Sequence, residues 1–176
     1  GMSKDGWKRF KSGSKWQYDV SHLGYKYNMT DISASFGNWQ MNHIDEWYDK
    51  RCAIFQNYQN SFKKIEGIIC PQSCNGDEKH GYHLYIIRLD SQRWKISRDR
   101  IIELLNVGGI GTSVHYKPVH MHSYYQNKYG YEPNDFAKAK IYSENVISLP
   151  LYPLLRDEEV SYIIKFIKKL WEEYSS

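Results

Sequence analysis

The 176-residue chain predicts a soluble α/β protein led by a long amphipathic helix. Apolar residues recur mostly three or four apart from Ile32 to Ile65, the spacing of one buried helix face. Beyond Gly67, short apolar runs alternate with helix-period stretches, the pattern of a domain that mixes strands and helices. A 41% apolar and 25% charged composition is that of a globular protein, and the length suffices for one domain with a real core without requiring two.

Residues 1–30 mix Lys, Gly and Ser with Trp7, Trp16, Tyr18, Tyr25 and Tyr27 and follow neither period, so an irregular arm that lies on something is expected. Asp31 stands where an N-cap belongs, ahead of the stripe Ile32, Phe36, Trp39, Ile44, Trp47, Phe55, Tyr58, Phe62 and Ile65. As one connecting helix over 31–66, the roughly 34 residues from Ile32 to Ile65 would reach ~50 Å. That exceeds what this core needs and implies packing against a partner subunit or another domain. Two helices broken near Gly37-Asn38 or His43 are the alternative.

Residues 67–176 make the small α/β domain. Pro71–Lys79 is a polar loop, and Tyr82–Leu89 (YHLYIIRL) is apolar on both faces, as a covered strand is. Ser97 caps a helix through Asn106 that buries Ile101, Ile102, Leu104 and Leu105 and stops at Gly108. Ile110–Tyr116 (IGTSVHY) is read as a second strand, followed by a turn rich in Pro and His. A helix starts at Asn134 or Asp135 and ends near Asn145, and Val146–Pro153 (VISLPLYP) is extended. Asp157 caps a last helix whose core stripe is Val160, Ile163, Ile164, Ile167, Trp171 and Tyr174.

The 24 Lys and Arg against 20 Asp and Glu leave a net charge of +4, too small and too dispersed to point to nucleic acid, though compatible with an anionic ligand. Apolar stretches such as Leu84–Ile87 fall far short of the ~20 residues of a membrane helix. The N-terminus has no apolar signal core. Cys52, Cys70 and Cys74 form an odd, unpatterned set, which favours reduced thiols over zinc. A cytoplasmic protein is expected.

Generic catalytic motifs are nearly missing: there is no Walker loop, GxGxxG, HExxH or nucleophile elbow. Gly108-Gly109-Ile110-Gly111 follows a helix and precedes a strand, the wrong order for a phosphate held at a helix N-terminus. His120 and His122, two apart, would share one side of a strand and could ligate a metal, although no third ligand is evident. His115 and Tyr116 end a strand, where α/β proteins often bind ligands, or they are satisfied core polar groups. Lys26 and Asn28 offer a charge and a neutral donor to an anion, or are solvated loop residues.

Four ordered stretches then converge. GYKYNMTDI (Gly24–Ile32) with SASFG (Ser33–Gly37), HGYHLYIIRL (His80–Leu89), GIGTSVHYKPVH (Gly109–His120) and SLPLYP (Ser148–Pro153) together resemble the DegT-type sugar aminotransferases, pyridoxal-phosphate enzymes of the aspartate-aminotransferase fold. The resemblance covers the second half of such an enzyme: an arm, a long connecting helix, and a small C-terminal domain with a short, mostly antiparallel sheet packed by helices. It implies that the GYKYN loop enters the active site of a neighbouring subunit, where Asn28 and Lys26 contact the cofactor phosphate. Many relatives place Asn and Arg at these two positions, so both are carried as donors. By the same resemblance His115, Tyr116 and His120 lie near the nucleotide-sugar pocket, joined by Tyr25 from the arm.

In the family a preceding large domain carries the Schiff-base lysine, in a stretch resembling SFHPxKxxxxGEGG, and an acid on the pyridine nitrogen. Neither stretch occurs in these residues, and Lys26 lies in the wrong motif to replace that lysine. Since transamination needs the covalently held cofactor, the resemblance implies a chain that is inactive alone, binds no cofactor by itself, and associates as a homodimer or with a large domain. No nucleic-acid or membrane partner is implied. A non-catalytic dimerising module is the rival. Gly1 ahead of Met2 reads as a vector residue, favouring a truncated gene product over a deliberately cut piece.

Overall fold

The computed structural model describes residues 19–73 and 78–176. Trp7, Trp16, Tyr18 and Cys74 lie outside the described residues. The chain divides into two compact units, Gly1–His43 and Ile44–Ser176.

The first unit shows an extended loop and α1 (Asp31–Met41). Thr30, rather than Asp31, is its N-cap: the Thr30 Oγ1 accepts from the Ser33 N–H at 3.2 Å. Asp31 instead sits in the first turn, where a carboxylate faces the positive end of the helix dipole. None of the residues of α1 is buried, and Ile32, Phe36, Trp39 and Met41 are all exposed.

The expected single helix is two. At its end the Asn42 N–H is shared between the Asn38 and Trp39 carbonyls, and His43 bonds only three residues back, to Gln40. This tightening closes α1 and restarts the chain as α2 (Ile44–Phe62). The break falls at His43, one of the two places where the sequence allowed it.

In the second unit, α2 is followed by β1 (Ile68–Ile69), β2 (Tyr85–Leu89), α3 (Arg98–Val107), a 3-10 turn (Val119–Met121), α4 (Ser123–Tyr129), α5 (Ala137–Asn145), β3 (Val146–Leu149) and α6 (Asp157–Tyr174). The sheet order is β1-β2-β3, antiparallel throughout. Tyr85 stands opposite Leu149, and Ile87 opposite Ile147. With Leu89 these join Ile54, Phe55, Tyr58 and Phe62 of α2 and Val160, Ile163 and Ile167 of α6 in one core. Because side chains alternate along a strand, Val146 and Ser148 share the opposite face with Ile86 and Arg88. All four residues of β3 are buried.

Three helix starts have local causes. Ser97 caps α3 as expected, accepting from the Arg100 N–H at 3.2 Å. Asp135 does not start a helix, since its carboxylate accepts from the Glu132 N–H at 2.9 Å in a preceding turn, and α5 begins at Ala137. Arg156, rather than Asp157, precedes α6, and its N–H donates to the Glu159 carboxylate at 2.9 Å. At the end of α3, Gly108 keeps φ −75° while Gly109 takes the left-handed φ of +75°.

Two expected strands are shorter. Tyr82 has φ +44°, incompatible with a strand, so β2 starts at Tyr85, and it buries Tyr85, Ile87 and Leu89 with Ile86 and Arg88 only half-covered. Ile110–Tyr116 reduces to a bridge at Ser113, which exchanges both backbone bonds with Ser148, at 3.2 and 2.8 Å. Its first residue is used elsewhere: the Ile110 N–H donates to Leu105 O at 2.8 Å, closing α3. No helix among the described residues is long and apolar enough to cross a membrane.

Candidate functional site

In the first unit, Leu23, Tyr25, Tyr27 and Met29 alternate in sequence with Gly24, Lys26 and Asn28, and all of them are exposed. The Tyr25 and Tyr27 rings lie 6.4 Å apart and tilted. The Thr30 cap anchors the loop to α1 immediately downstream. Lys26 offers an ammonium and Asn28 an amide N–H, the two donor types that suit a phosphate.

In the second unit the structure brings His115 and Tyr116 together. Their rings meet edge to face with centroids 4.5 Å apart. Tyr116 is 73% exposed, while His115 is half-buried and places Nδ1 2.7 Å from the Ser148 hydroxyl. Ser148 was not singled out in the sequence. It is buried in β3 opposite Ile86 of β2, and its N–H and carbonyl both bond Ser113. The signal that could have found it is the bridge of IGTSVHY to ISLP, which sequence periodicity alone does not register. Among the described residues the buried Thr112 hydroxyl, three residues before His115, has no hydrogen-bond partner.

His120 is not part of that pair. It is 7% exposed, its Nε2 lies 3.3 Å from Pro133 O, and its ring packs on Phe136 at 4.8 Å. His122 is exposed and turns instead to Lys117 O, also at 3.3 Å. The two rings do not share a face, because the segment is a 3-10 turn and not a strand; at three residues per turn, positions two apart diverge. Among the described residues no group of three or more His, Cys, Asp or Glu is arranged to hold a metal.

The most perturbed side chains lie elsewhere, around α2 and β2. Burial pushes the Tyr85 and Tyr58 phenols upward, and Tyr58 donates to Pro150 O at 3.0 Å. A hydrogen bond with Cys52, followed by burial, pushes Tyr82 up to about 12. Burial also raises the Cys70 thiol, beside Tyr85. A recess of about 570 Å³ is lined by Gln59, Lys63, Cys70 and Pro71 with β1, and none of the sequence-predicted site residues lines it. These groups form a packed aromatic and polar seam, whereas Tyr116 and the arm residues Tyr25 and Tyr27 stand exposed.

The DegT/DnrJ/EryC1/StrS aminotransferase family matches residues 1–168. Over 173 residues the chain is 40% identical to the uncharacterized protein MJ1066 of Methanocaldococcus jannaschii, covering 98% of this chain and 45% of that one. It is 39% identical over 171 residues to the spore coat polysaccharide biosynthesis protein SpsC of Bacillus subtilis, covering 97% and 44%. Spr1654 of Streptococcus pneumoniae, assigned as a sugar aminotransferase and solved in its PMP form, superposes with a TM-score of 0.81 at 35% identity, covering 98% of this chain and 42% of that one. The chain thus spans less than half the length of each of these proteins. The match extends over both units and includes the arm, the His115–Tyr116 segment and SLPLYP. The chain belongs to the DegT/DnrJ/EryC1/StrS aminotransferase family.

Proposed function

We propose that these residues form the arm, the connecting helices and the small domain of a pyridoxal-phosphate aminotransferase acting on nucleotide-linked keto-sugars. In this reading the arm supplies Asn28 and Lys26 to the cofactor phosphate in the active site of a neighbouring subunit. Tyr25, His115 and Tyr116 contact the sugar nucleotide, and His120 is a wall residue that fixes the loop after Tyr116. Bound pyridoxal phosphate supplies the electron sink through which an amino group moves. The residues described here bind and orient; the covalent step belongs to a large domain, so this stretch alone does not transfer amino groups.

The observation that carries the reading is the arm. Four large apolar residues, Leu23, Tyr25, Tyr27 and Met29, stand exposed in seven residues, with phosphate-type donors between them. Such a segment gains little by lying in water and much by entering a second protein surface. Support from the relatives is of two kinds: SpsC is named for polysaccharide biosynthesis, and Spr1654 is assigned as a sugar aminotransferase and occurs in PLP and PMP forms. Mixing the chain with the portion of SpsC that it does not match tests the reading. Association together with a shift in cofactor absorbance supports it, and association without any cofactor effect supports a dimerising module that has lost its ligand.

A further inference from the structure

We propose that Ser148 is the positioning residue of His115, and that its hydroxyl fixes which imidazole nitrogen faces the ligand. The inference rests on the reading of His115 as a sugar-nucleotide contact, but its core can be tested apart from it. Ser148 Oγ and His115 Nδ1 are 2.7 Å apart, a normal to strong hydrogen bond for this pair. The serine is buried, and among the described residues Nδ1 is the one recorded partner of its hydroxyl. The Ser148 N–H and carbonyl are already committed to Ser113.

A buried hydroxyl proton needs an acceptor. Here that acceptor is Nδ1, so Ser148 donates and the neutral ring carries its proton on Nε2. Among the described residues Nε2 has no recorded hydrogen-bond partner, and it belongs to a half-buried ring stacked edge to face on the exposed Tyr116. His115 is thereby presented as an N–H donor, suited to a phosphate or hydroxyl oxygen of a nucleotide-linked sugar. The strand fixes the serine, the serine fixes the ring, and the ring meets the ligand.

The consequence is a tautomer set by a residue that never touches ligand. Side-chain nitrogen NMR of the labelled chain at about pH 8.5, well above the ordinary imidazole pKa of ~6.5, reads it directly. The wild-type His115 ring should show a protonated Nε2 and an acceptor Nδ1. Ser148→Ala should give a mixed or reversed pattern, and Ser148→Thr, which keeps the hydroxyl, should restore it. Should Ser148→Ala fail to fold, Ser148→Cys, with its weaker S–H donor, should move the pattern partway.

Calorimetric titration with uridine and thymidine diphosphates gives the second arm. Ser148→Ala and His115→Ala should each weaken binding about tenfold, and the double variant should be no worse than His115→Ala, since both remove one interaction. A ring pattern unchanged in Ser148→Ala, or an additive double variant, overturns the positioning role. A serine-dependent pattern in a chain that binds neither diphosphate contradicts the nucleotide-sugar reading while upholding the role of Ser148.

Discussion

Arg98 joins the start of α3 to the junction between α5 and β3. Its Nη1 donates to Ser143 O at 3.1 Å and to Val146 O at 3.2 Å, and its side chain is 16% exposed. Ser143 lies in the last turn of α5 and Val146 is its C-cap, where the helix leaves acceptors without internal partners and where a cation also opposes the dipole. Hydrogen bonds to charged groups contribute about 1.5–3 kcal/mol each. With one nitrogen shared between two acceptors, Arg98→Ala should destabilise the second unit by roughly 2–4 kcal/mol.

The ion pair of Arg98 with Asp99 is not the cause, since Asp99 is 78% exposed and such surface pairs contribute ~0–1 kcal/mol. Asp99→Ala should therefore be nearly silent. Arg98→Lys, which keeps the charge but not the fork, should fall between the two. Urea unfolding at equilibrium measures all three, with m unchanged if only stability shifts. Because Val146 opens β3, the Ser148 amide should also exchange faster with solvent in Arg98→Ala. A loss below ~0.5 kcal/mol in Arg98→Ala, or an equal loss in Asp99→Ala, would refute this account of the junction.

Tyr58 and Tyr85 make a contrasting pair. Tyr58→Phe removes the donor to Pro150 O and should lower stability by about 1 kcal/mol, whereas among the described residues the Tyr85 hydroxyl has no partner beyond the neighbouring Cys70 sulfur, so Tyr85→Phe should change it by less than ~0.5 kcal/mol; urea unfolding separates them. The Glu159 carboxyl is held below its ordinary value by hydrogen bonds from the Arg156 side chain and then its backbone. Its folded pKa therefore lies under the unfolded one, and the stabilisation is present above the ordinary carboxylate range and lost as pH falls through the folded value. Glu159→Gln should lower Tm at neutral pH, with the difference closing on acidification. Phe36→Lys, on a helix with no buried residue, should leave the unfolding curve unchanged while weakening self-association in sedimentation velocity, and equal association by both chains would count against the α1 stripe as an interface.

The periodicities that sequence displays most plainly are those that bury large areas. The α6 stripe and the α2 residues Phe55, Tyr58 and Phe62 are core as expected, because a repeated apolar face has only one favourable place to go. The same stripe on α1 is exposed; periodicity marks a face but does not say what covers it. The missed features depend on a few local hydrogen bonds. Thr30, Asp135 and Arg156 decide where helices begin through local side-chain hydrogen bonds, and α4, which buries no residue, leaves no apolar period to read.

The candidate site divides in the same way. Lys26, Asn28, His115 and Tyr116 are candidates read from motif order, since the ordered set resembles the family more closely than any one stretch does. Ser148 could not, because its tie to His115 spans 33 residues and arises from a backbone bridge. His120 is turned inward to Pro133 and Phe136, so its ring does not share a side with His122 as their spacing of two had suggested.

In the function proposed above, this stretch gives an aminotransferase its phosphate-binding arm and its sugar contacts. Fusing the unmatched portion of SpsC ahead of the chain and titrating the dimeric product with pyridoxal phosphate tests it most directly. The account predicts saturable cofactor binding, detected by absorbance, that weakens about tenfold in Asn28→Ala through loss of one charge-assisted phosphate contact. A folded, dimeric fusion whose cofactor affinity is the same with and without Asn28 and Lys26 would contradict it.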